Sequence, residues 1–317
     1  MLRAALKKFI LLLTGILTFI TISGCSRMHL TDEDVLNEEP TIVTTVFPAY
    51  DFARAIAGNR ANVILLVPPG TEIHDYSPSP GDMKQILHSS LFIYNGGESD
   101  AWVEELINSS DSRVNQLRMM DCVDLITEQI TEEMFSHETN EQEPDEHVWT
   151  SPRNAATICN AICNELTKLD PENEKVYQKN SAAYTQKLTQ LDIQFQDIVD
   201  TSPKNLLVFA DRFPARYFTD EYGLQYAAIY PGCSEESEAS ARTIARIVEI
   251  VRENNISCVL FIEMSNRKIA DIICEETGCE SAEFNCCHNI SKDDFESGKT
   301  YIDLMTENLD TVRKALS

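Results

Sequence analysis

Basic residues are scarce in this chain. Its 317 residues include 26 Lys and Arg against 51 Asp and Glu, a formal charge of −25. A surface this acidic repels phosphate backbones, so nucleic-acid binding is excluded. Several signatures of chemistry are also missing. There is no H-E-x-x-H and no Cys-x-x-Cys beside a His-x-Glu, which argues against the common zinc protease and deaminase sites. Gly96-Gly97 follows a strand pattern but lacks the P-loop lysine and the dinucleotide spacing, and no Gly-x-Ser-x-Gly elbow is present. Hydrophobic residues make up 43% and charged residues 24%, which are globular values. The length exceeds what one core usually fills, so two lobes are expected.

Arg3, Lys7 and Lys8 precede an uncharged, mostly apolar stretch over 9–22. It is too short for a mature membrane span and suits the core of an export signal. It ends in Ile22-Ser23-Gly24-Cys25, which resembles the lipobox of bacterial lipoprotein precursors. Residues 1–24 are therefore expected to be removed, with Cys25 lipidated and the protein held outside the cell membrane by acyl chains. Residues 25–40, rich in Asp and Glu, read as a solvated tether.

From residue 41 short β-rich runs alternate with helical patterns. Strands are expected at 41–46, 63–67 and 91–94, with helices over 51–58 and from Asp82. The alternation returns after Lys204, with strands at 206–210, 226–230, 258–262 and 282–284 and helices near 238–253 and 265–277. This predicts an α/β fold of two lobes with parallel sheets, 41–150 and 201–317. Ser151-Pro152 is a helix start, and a helical pattern runs from there toward Asp200, interrupted near Asp170-Pro171. It reads as a long connecting helix over 151–200, or as two consecutive surface helices. Residues 128–146 carry eight acidic residues and no Lys or Arg, the mark of a solvated loop.

The six histidines can be weighed singly. His29 falls in the tether and His137 in the acidic loop. His88 sits in the helix after Asp82, where a surface or cap role is expected. His74 follows a strand and the turn Pro68-Pro69-Gly70, where α/β sheets place ligand-binding groups. His147 lies in Asp145-Glu146-His147-Val148-Trp149, just before a helix cap. Asp211 and Glu263 end apolar strands of the second lobe, and Cys286-Cys287-His288 follows the last one. The bland reading of Asp211 is a cap for a helix beginning near Pro214. Imidazoles from one lobe meeting carboxylate and imidazole from the other suit a first-row divalent cation. Cys287 could add a thiolate, which would favour zinc. Of the nine cysteines besides Cys25, Cys159 and Cys163 share one helix face and read as buried apolar residues.

The runs Thr45-Val46-Phe47-Pro48-Ala49-Tyr50-Asp51-Phe52-Ala53, Pro68-Pro69-Gly70-Thr71-Glu72-Ile73-His74, Gly96-Gly97-Glu98-Ser99-Asp100-Ala101-Trp102 and Glu146-His147-Val148-Trp149-Thr150-Ser151-Pro152 resemble the zinc/manganese substrate-binding lipoproteins of bacterial ABC importers. Ala210-Asp211-Arg212-Phe213-Pro214, Tyr230-Pro231-Gly232-Cys233-Ser234 and Thr300-Tyr301-Ile302-Asp303-Leu304-Met305 continue the likeness in order. The resemblance implies two α/β lobes joined by a rigid long helix, with the metal in the cleft. It carries two histidine ligands onto His74 and His147. Where the family commonly has a third histidine this chain has Asp211, and where the family has a late carboxylate it has the stretch ending in His288. The two residue types then exchange places: Asp211 supplies the carboxylate and His288 the third imidazole, with Glu263 as a direct ligand or as the acceptor that orients a histidine.

The function expected is capture of Zn²⁺, or next Mn²⁺, by an extracytoplasmic, lipid-anchored receptor that hands the ion to an ABC permease and its ATPase. It is expected to be a monomer and not an enzyme. The competing readings are a surface adhesin with a structural metal and an exported zinc hydrolase using Glu146 as general base.

Overall fold

The computed structural model describes residues 39–73, 76–109, 114–129, 134, 143–232 and 239–317. The signal segment, Cys25, His29, His74 and His137 lie outside the described residues. The chain divides into Met1–Glu39 and Pro40–Ser317, and all the elements below belong to the second unit.

In the first lobe, β1 (Thr41–Thr44), β2 (Asn62–Leu65), β3 (Leu91–Tyr94) and β4 (Gln116–Arg118) form a parallel sheet in the order β2-β1-β3-β4. Three short helices connect them: α1 (Phe47–Ala57), α2 (Pro80–Leu87) and α3 (Ala101–Ser109). α1 begins four residues before the expected start because Pro48 suits a first helical turn, where its missing N–H costs nothing. Asp82 is not the start of α2 but part of its capping box, in which it exchanges hydrogen bonds with the N-cap Ser79 at 2.8 and 3.2 Å. His88 closes the same helix, its Nδ1 2.7 Å from the Lys84 carbonyl, which is the cap role expected of it. β4 has no counterpart in the sequence reading: three residues with a single apolar side chain, Leu117, carry no strand signal, and pairing with β3 alone creates it.

In the second lobe, β5 (Leu206–Phe213), β6 (Gln225–Pro231), β7 (Cys258–Ile262) and β8 (Glu280–Phe284) form a second parallel sheet in the order β6-β5-β7-β8. The helices are α6 (Arg216–Glu221), α7 (Ala241–Glu253), α8 (Lys268–Thr277), α9 (Lys292–Ser297) and α10 (Tyr301–Ala315). β7 is buried throughout, as an interior strand covered on both faces should be. In each sheet the strand order reverses beside the first strand, so each lobe opens a crevice past its carboxyl ends at β1/β3 and β5/β7.

Residues 151–200 form two helices, α4 (Pro152–Leu169) and α5 (Glu174–Thr201), packed against each other. Pro171 lacks the amide a continuing helix needs, and Asp170 before it is driven to φ −138° and ψ 77°. The long connecting helix is therefore α5 alone, 28 residues and about 42 Å at ~1.5 Å per residue. Its buried side chains, Tyr177, Ser181, Tyr184, Leu188, Leu191, Phe195 and Ile198, alternate spacings of four and three, one continuous stripe. At one end Tyr184 packs on Phe52 of α1, and at the other Phe195 packs on Phe218 and Tyr222 of the second lobe. Fully buried Asp51 adds a polar anchor: Oδ2 accepts from the Tyr184 hydroxyl (2.7 Å) and the Tyr301 amide (3.0 Å), and Oδ1 pairs with Arg54 (2.9 Å). Cys159 and Cys163 lie buried on the core face of α4.

Candidate metal centre

His147 lies on a strap between the bridge Thr127–Pro144 and a short turn over Val148–Thr150. Its side chain is fully buried. One oxygen of Asp145, Oδ1, receives both the His147 backbone N–H (2.8 Å) and its ring Nδ1 (3.0 Å). That contact puts the ring proton on Nδ1 and leaves the lone pair on Nε2, the arrangement outer carboxylates impose on metal-binding histidines. Nε2 is buried with no hydrogen-bond partner among the described residues. Burial pulls the His147 pKa down, but Asp145, Glu146 and Glu128 outweigh it and the net shift is upward.

The strap is held by its neighbours on both sides. Glu146 accepts from the Ser99 N–H (3.1 Å) and the Ser99 hydroxyl, and its carbonyl accepts from Asn95 Nδ2 (2.8 Å). Gly97, at φ +81°, makes room for it: a Cβ there would lie 2.7 Å from the Glu146 Cβ. From the second lobe, Tyr217 donates its hydroxyl to the Asp145 carbonyl (3.0 Å). Gly232, just past β6, lies against the histidine itself, since a Cβ there would fall 3.0 Å from His147 Cε1 and 2.9 Å from the Phe213 carbonyl.

His288 is held by Glu263. Glu263 follows β7 and is 7% exposed. Its Oε2 accepts the Cys286 N–H (2.7 Å), while Oε1 accepts the His288 N–H (2.9 Å) and lies 3.2 Å from His288 Nδ1. One carboxylate thus wraps residues 286–288 around itself, with Cys287 turned to φ +60° at the apex. Asn308 of α10 fixes the base of the loop through the Asn285 N–H and carbonyl, each at 2.8 Å. The ligand atoms of Glu263, Cys286 and His288 lie within 4.8 Å of one another, so Cys286, not Cys287, is the thiol beside the site. Burial first and nearby carboxylates second push both thiols well above their ordinary pKa, which holds them protonated.

The two histidines meet. Their ring centroids are 4.6 Å apart at 75°, so the two imidazoles are in edge-to-face contact. Trp149 packs edge-on against both, donates Nε1–H to the Cys286 carbonyl (2.8 Å) and accepts the Tyr301 hydroxyl on its own carbonyl (2.6 Å).

Asp211 stands where β5 shifts register against β6 by one extra residue between Phe209 and Arg212, a bulge that re-aims the end of the strand. It is not a helix cap, because β5 runs on to Phe213 and α6 starts after Ala215 with no side-chain cap. Its carboxylate accepts the Arg212 N–H (2.9 Å) and bonds to Ser265 and the Ile262 backbone; burial, only partly offset by these bonds, raises its pKa. Next to it Arg212 reaches Glu72 of the first lobe at 2.8 Å. Asn289 grips the turn that precedes His74 in the sequence, donating to the Pro68 and Thr71 carbonyls (2.8 and 2.7 Å), and Gly70 donates to the Ile290 carbonyl (2.8 Å). These clasps join the lobes across the crevice.

Of the residues singled out from sequence, the structure brings together His147, His288 and Glu263, sets Asp211 on the rim of the second sheet, and clasps the turn before His74 without describing His74 itself. The sequence reading assigned no role to Asp145, Gly232, Asn289 or Trp149. Asp145 had a local signal, a carboxylate two residues before a histidine. Gly232 and Asn289 act on partners far away in the chain and had none, and Trp149, though beside His147, joins it to the distant Cys286 and His288.

Fold and site together define a two-lobed solute-binding protein with an imidazole-lined centre between the lobes. Residues 42–315 match the family described as zinc-uptake complex component A, periplasmic, and the chain belongs to that family. It is 29% identical over 303 residues to the high-affinity zinc uptake system protein ZnuA of Bacillus subtilis, covering 94% of each chain. It is also 29% identical over 313 residues to the zinc-binding lipoprotein AdcA of Streptococcus pneumoniae, spanning 98% of this chain but 61% of that one. Among solved structures, the Zn(II)-bound ZnuA-like domain of S. pneumoniae AdcA superposes with a TM-score of 0.75 at 28% identity, over 88% of this chain and 99% of that one. The laminin-binding protein Lmb of Streptococcus agalactiae, described as having adhesin and metal-transporting activity, gives a TM-score of 0.75 over 88% and 100% of the two chains; at 24% identity this likeness concerns fold alone. No helix of the described residues is long and apolar enough to cross a membrane.

Proposed function

We propose that this protein captures Zn²⁺ outside the cytoplasm and delivers it to the permease of an ABC importer driven by an ATPase, with Mn²⁺ as the second choice of ion. The observation that carries the reading is the pair of buried, carboxylate-oriented imidazoles of His147 and His288 between the lobes, with Nε2 of His147 buried and without a hydrogen-bond partner among the described residues. Three imidazoles and one carboxylate are a donor set that zinc accepts readily. The ligands proposed are His74, His147 and His288, with Asp211 as the carboxylate. Glu263 already receives two backbone amides and the His288 ring, which suits it to positioning rather than ligation.

The protein is read as a carrier rather than an enzyme. Glu146, the base a hydrolase would need, has its carboxylate held by Ser99. The adhesin reading rests on fold likeness only. Lipidation of Cys25, a monomeric state and the permease as partner complete the proposal; the family's zinc relatives support the last of these.

Calorimetric titration of chelator-stripped protein with Zn²⁺ and Mn²⁺ tests it. One zinc per chain should bind, and His147→Ala and His288→Ala should each lose at least ~100-fold in affinity, more than loss of an outer partner causes. The apo variants should still melt cooperatively. Absence of zinc binding by the wild-type chain would overturn the reading.

A further inference from the structure

Cys274 and Cys279 lie far from the centre, at the other end of the second sheet. Cys274 is in the last turn of α8, and Cys279 immediately precedes β8, the edge strand of the sheet. Their sulfurs are 3.6 Å apart. The connection between them is short and firmly held. Gly278, at φ +78°, closes the helix by donating to the Cys274 carbonyl (2.8 Å), and the Thr277 hydroxyl donates to the Ile273 carbonyl (2.7 Å) while accepting the Cys279 N–H (3.3 Å). This fixes two thiols side by side without drawing on the rest of the fold.

The two thiols are not equivalent. Both are half-buried, but Cys279 lines an open surface groove with Ser257, Gly278, Glu280 and Lys314, and Cys274 is not among the residues lining it. Most of the other described cysteines are buried, including Cys159, Cys163, Cys258, Cys286 and Cys287.

The geometry points to a thiol–disulfide exchange site at Cys279 and Cys274 that takes a small-molecule disulfide and closes a bond stapling α8 to β8. The Cys279 thiolate attacks one sulfur of R-S-S-R, forming a mixed disulfide and expelling the first thiolate, which takes up the proton Cys279 lost. Cys274 then gives up its proton and attacks the Cys279 sulfur, forming the Cys274–Cys279 bond and releasing the second R-SH. Two protein thiols are oxidised and one disulfide is reduced to two thiols, so atoms and electrons balance. Closing so short a loop at the sheet edge restrains the unfolded chain and raises the thermal midpoint, by roughly 5 °C on loop-entropy grounds.

The test treats the full chain with oxidised glutathione, blocks the remaining thiols with an alkylating agent and maps the peptides by mass spectrometry. The expected product is a Cys274–Cys279 crosslink, lighter by two hydrogens, in a protein that melts above its reduced form. Cys274→Ser should stop at the glutathione adduct on Cys279 and lose the stabilisation, whereas Cys279→Ser should leave Cys274 unmodified. Zinc affinity and stoichiometry should be the same for the oxidised and reduced wild type. Alkylation of both residues after oxidation would overturn the proposal, as would a crosslink through Cys258 or an adduct on Cys274 in Cys279→Ser.

Discussion

Replacing Glu263 by Gln separates a positioning carboxylate from a metal ligand. In the native protein three N–H groups converge on its two oxygens at 2.7, 2.9 and 3.2 Å in a setting that is 7% exposed. Gln keeps one oxygen and turns the other into an NH₂ group. Whichever way the amide faces, at least one backbone N–H of the 286–288 loop loses its acceptor and meets a donor. An unsatisfied buried donor costs ~1–3 kcal/mol, and bonds to a charged acceptor are the stronger ones, so a loss of about 3 kcal/mol is expected. At a little under ~2 °C per kcal/mol for a folded unit this long, the apo midpoint should fall by roughly 5 °C. Zinc should still bind once per chain, with affinity down ~10–100-fold, the usual effect of removing the outer partner of a ligating histidine. Differential scanning calorimetry of the apo form and competition titration against a chromogenic chelator read the two quantities. Abolished binding with an unchanged apo midpoint would make Glu263 a ligand and refute this reasoning, and so would no change in either.

Two further perturbations test the supports of His147 and the first lobe. Gly232→Ala places a methyl group 2.9 Å from the Phe213 carbonyl and 3.0 Å from His147 Cε1, so the variant should lose ~1–3 kcal/mol of stability and bind zinc more weakly, measured by the same titration. If affinity is untouched, the imidazole is not held in place by that contact. Asp100 is pushed up to about 6, above all by burial, although the Asn95 and Gly96 amides and the Thr45 hydroxyl all donate to its Oδ2. The folded state therefore holds this proton more tightly than the unfolded chain, whose carboxyl titrates at its ordinary 3.8. Its contribution is full below that value and declines as pH rises toward 6, by about 3 kcal/mol in all. Asp100→Asn keeps an acceptor oxygen and removes the charge. Relative to the wild type it should gain stability above pH 6 and little near pH 4 in urea titrations across that range; a constant difference would contradict the assignment.

The structure also locates the limits of local pattern. α5 and the strands of both lobes declare themselves through short-range periodicity, and Pro171 marks the break between α4 and α5 because a proline acts on its own backbone. β4 does not, since three residues, none of them fully buried, become a strand only by pairing with β3. Asp211 illustrates a subtler failure. Its position at a strand end was readable, but the one-residue bulge that turns it toward Ser265 and Ile262 arises from how β5 and β6 fall into register.

Sequence by itself determined the two-lobed α/β architecture, the acidic composition and the candidacy of His147 and His288, because each rests on composition or on neighbours within a few residues. Tertiary structure alone decided that Glu263 orients rather than merely adjoins His288, across 25 residues, and that Cys286 rather than Cys287 stands at the site. It alone showed Asn289 gripping Pro68 across 221 residues. The physical reason is that a hydrogen bond is specified by donor and acceptor positions within a few tenths of an ångström. For groups so far apart in the chain, those positions exist only once the cores of both lobes and α5 have packed.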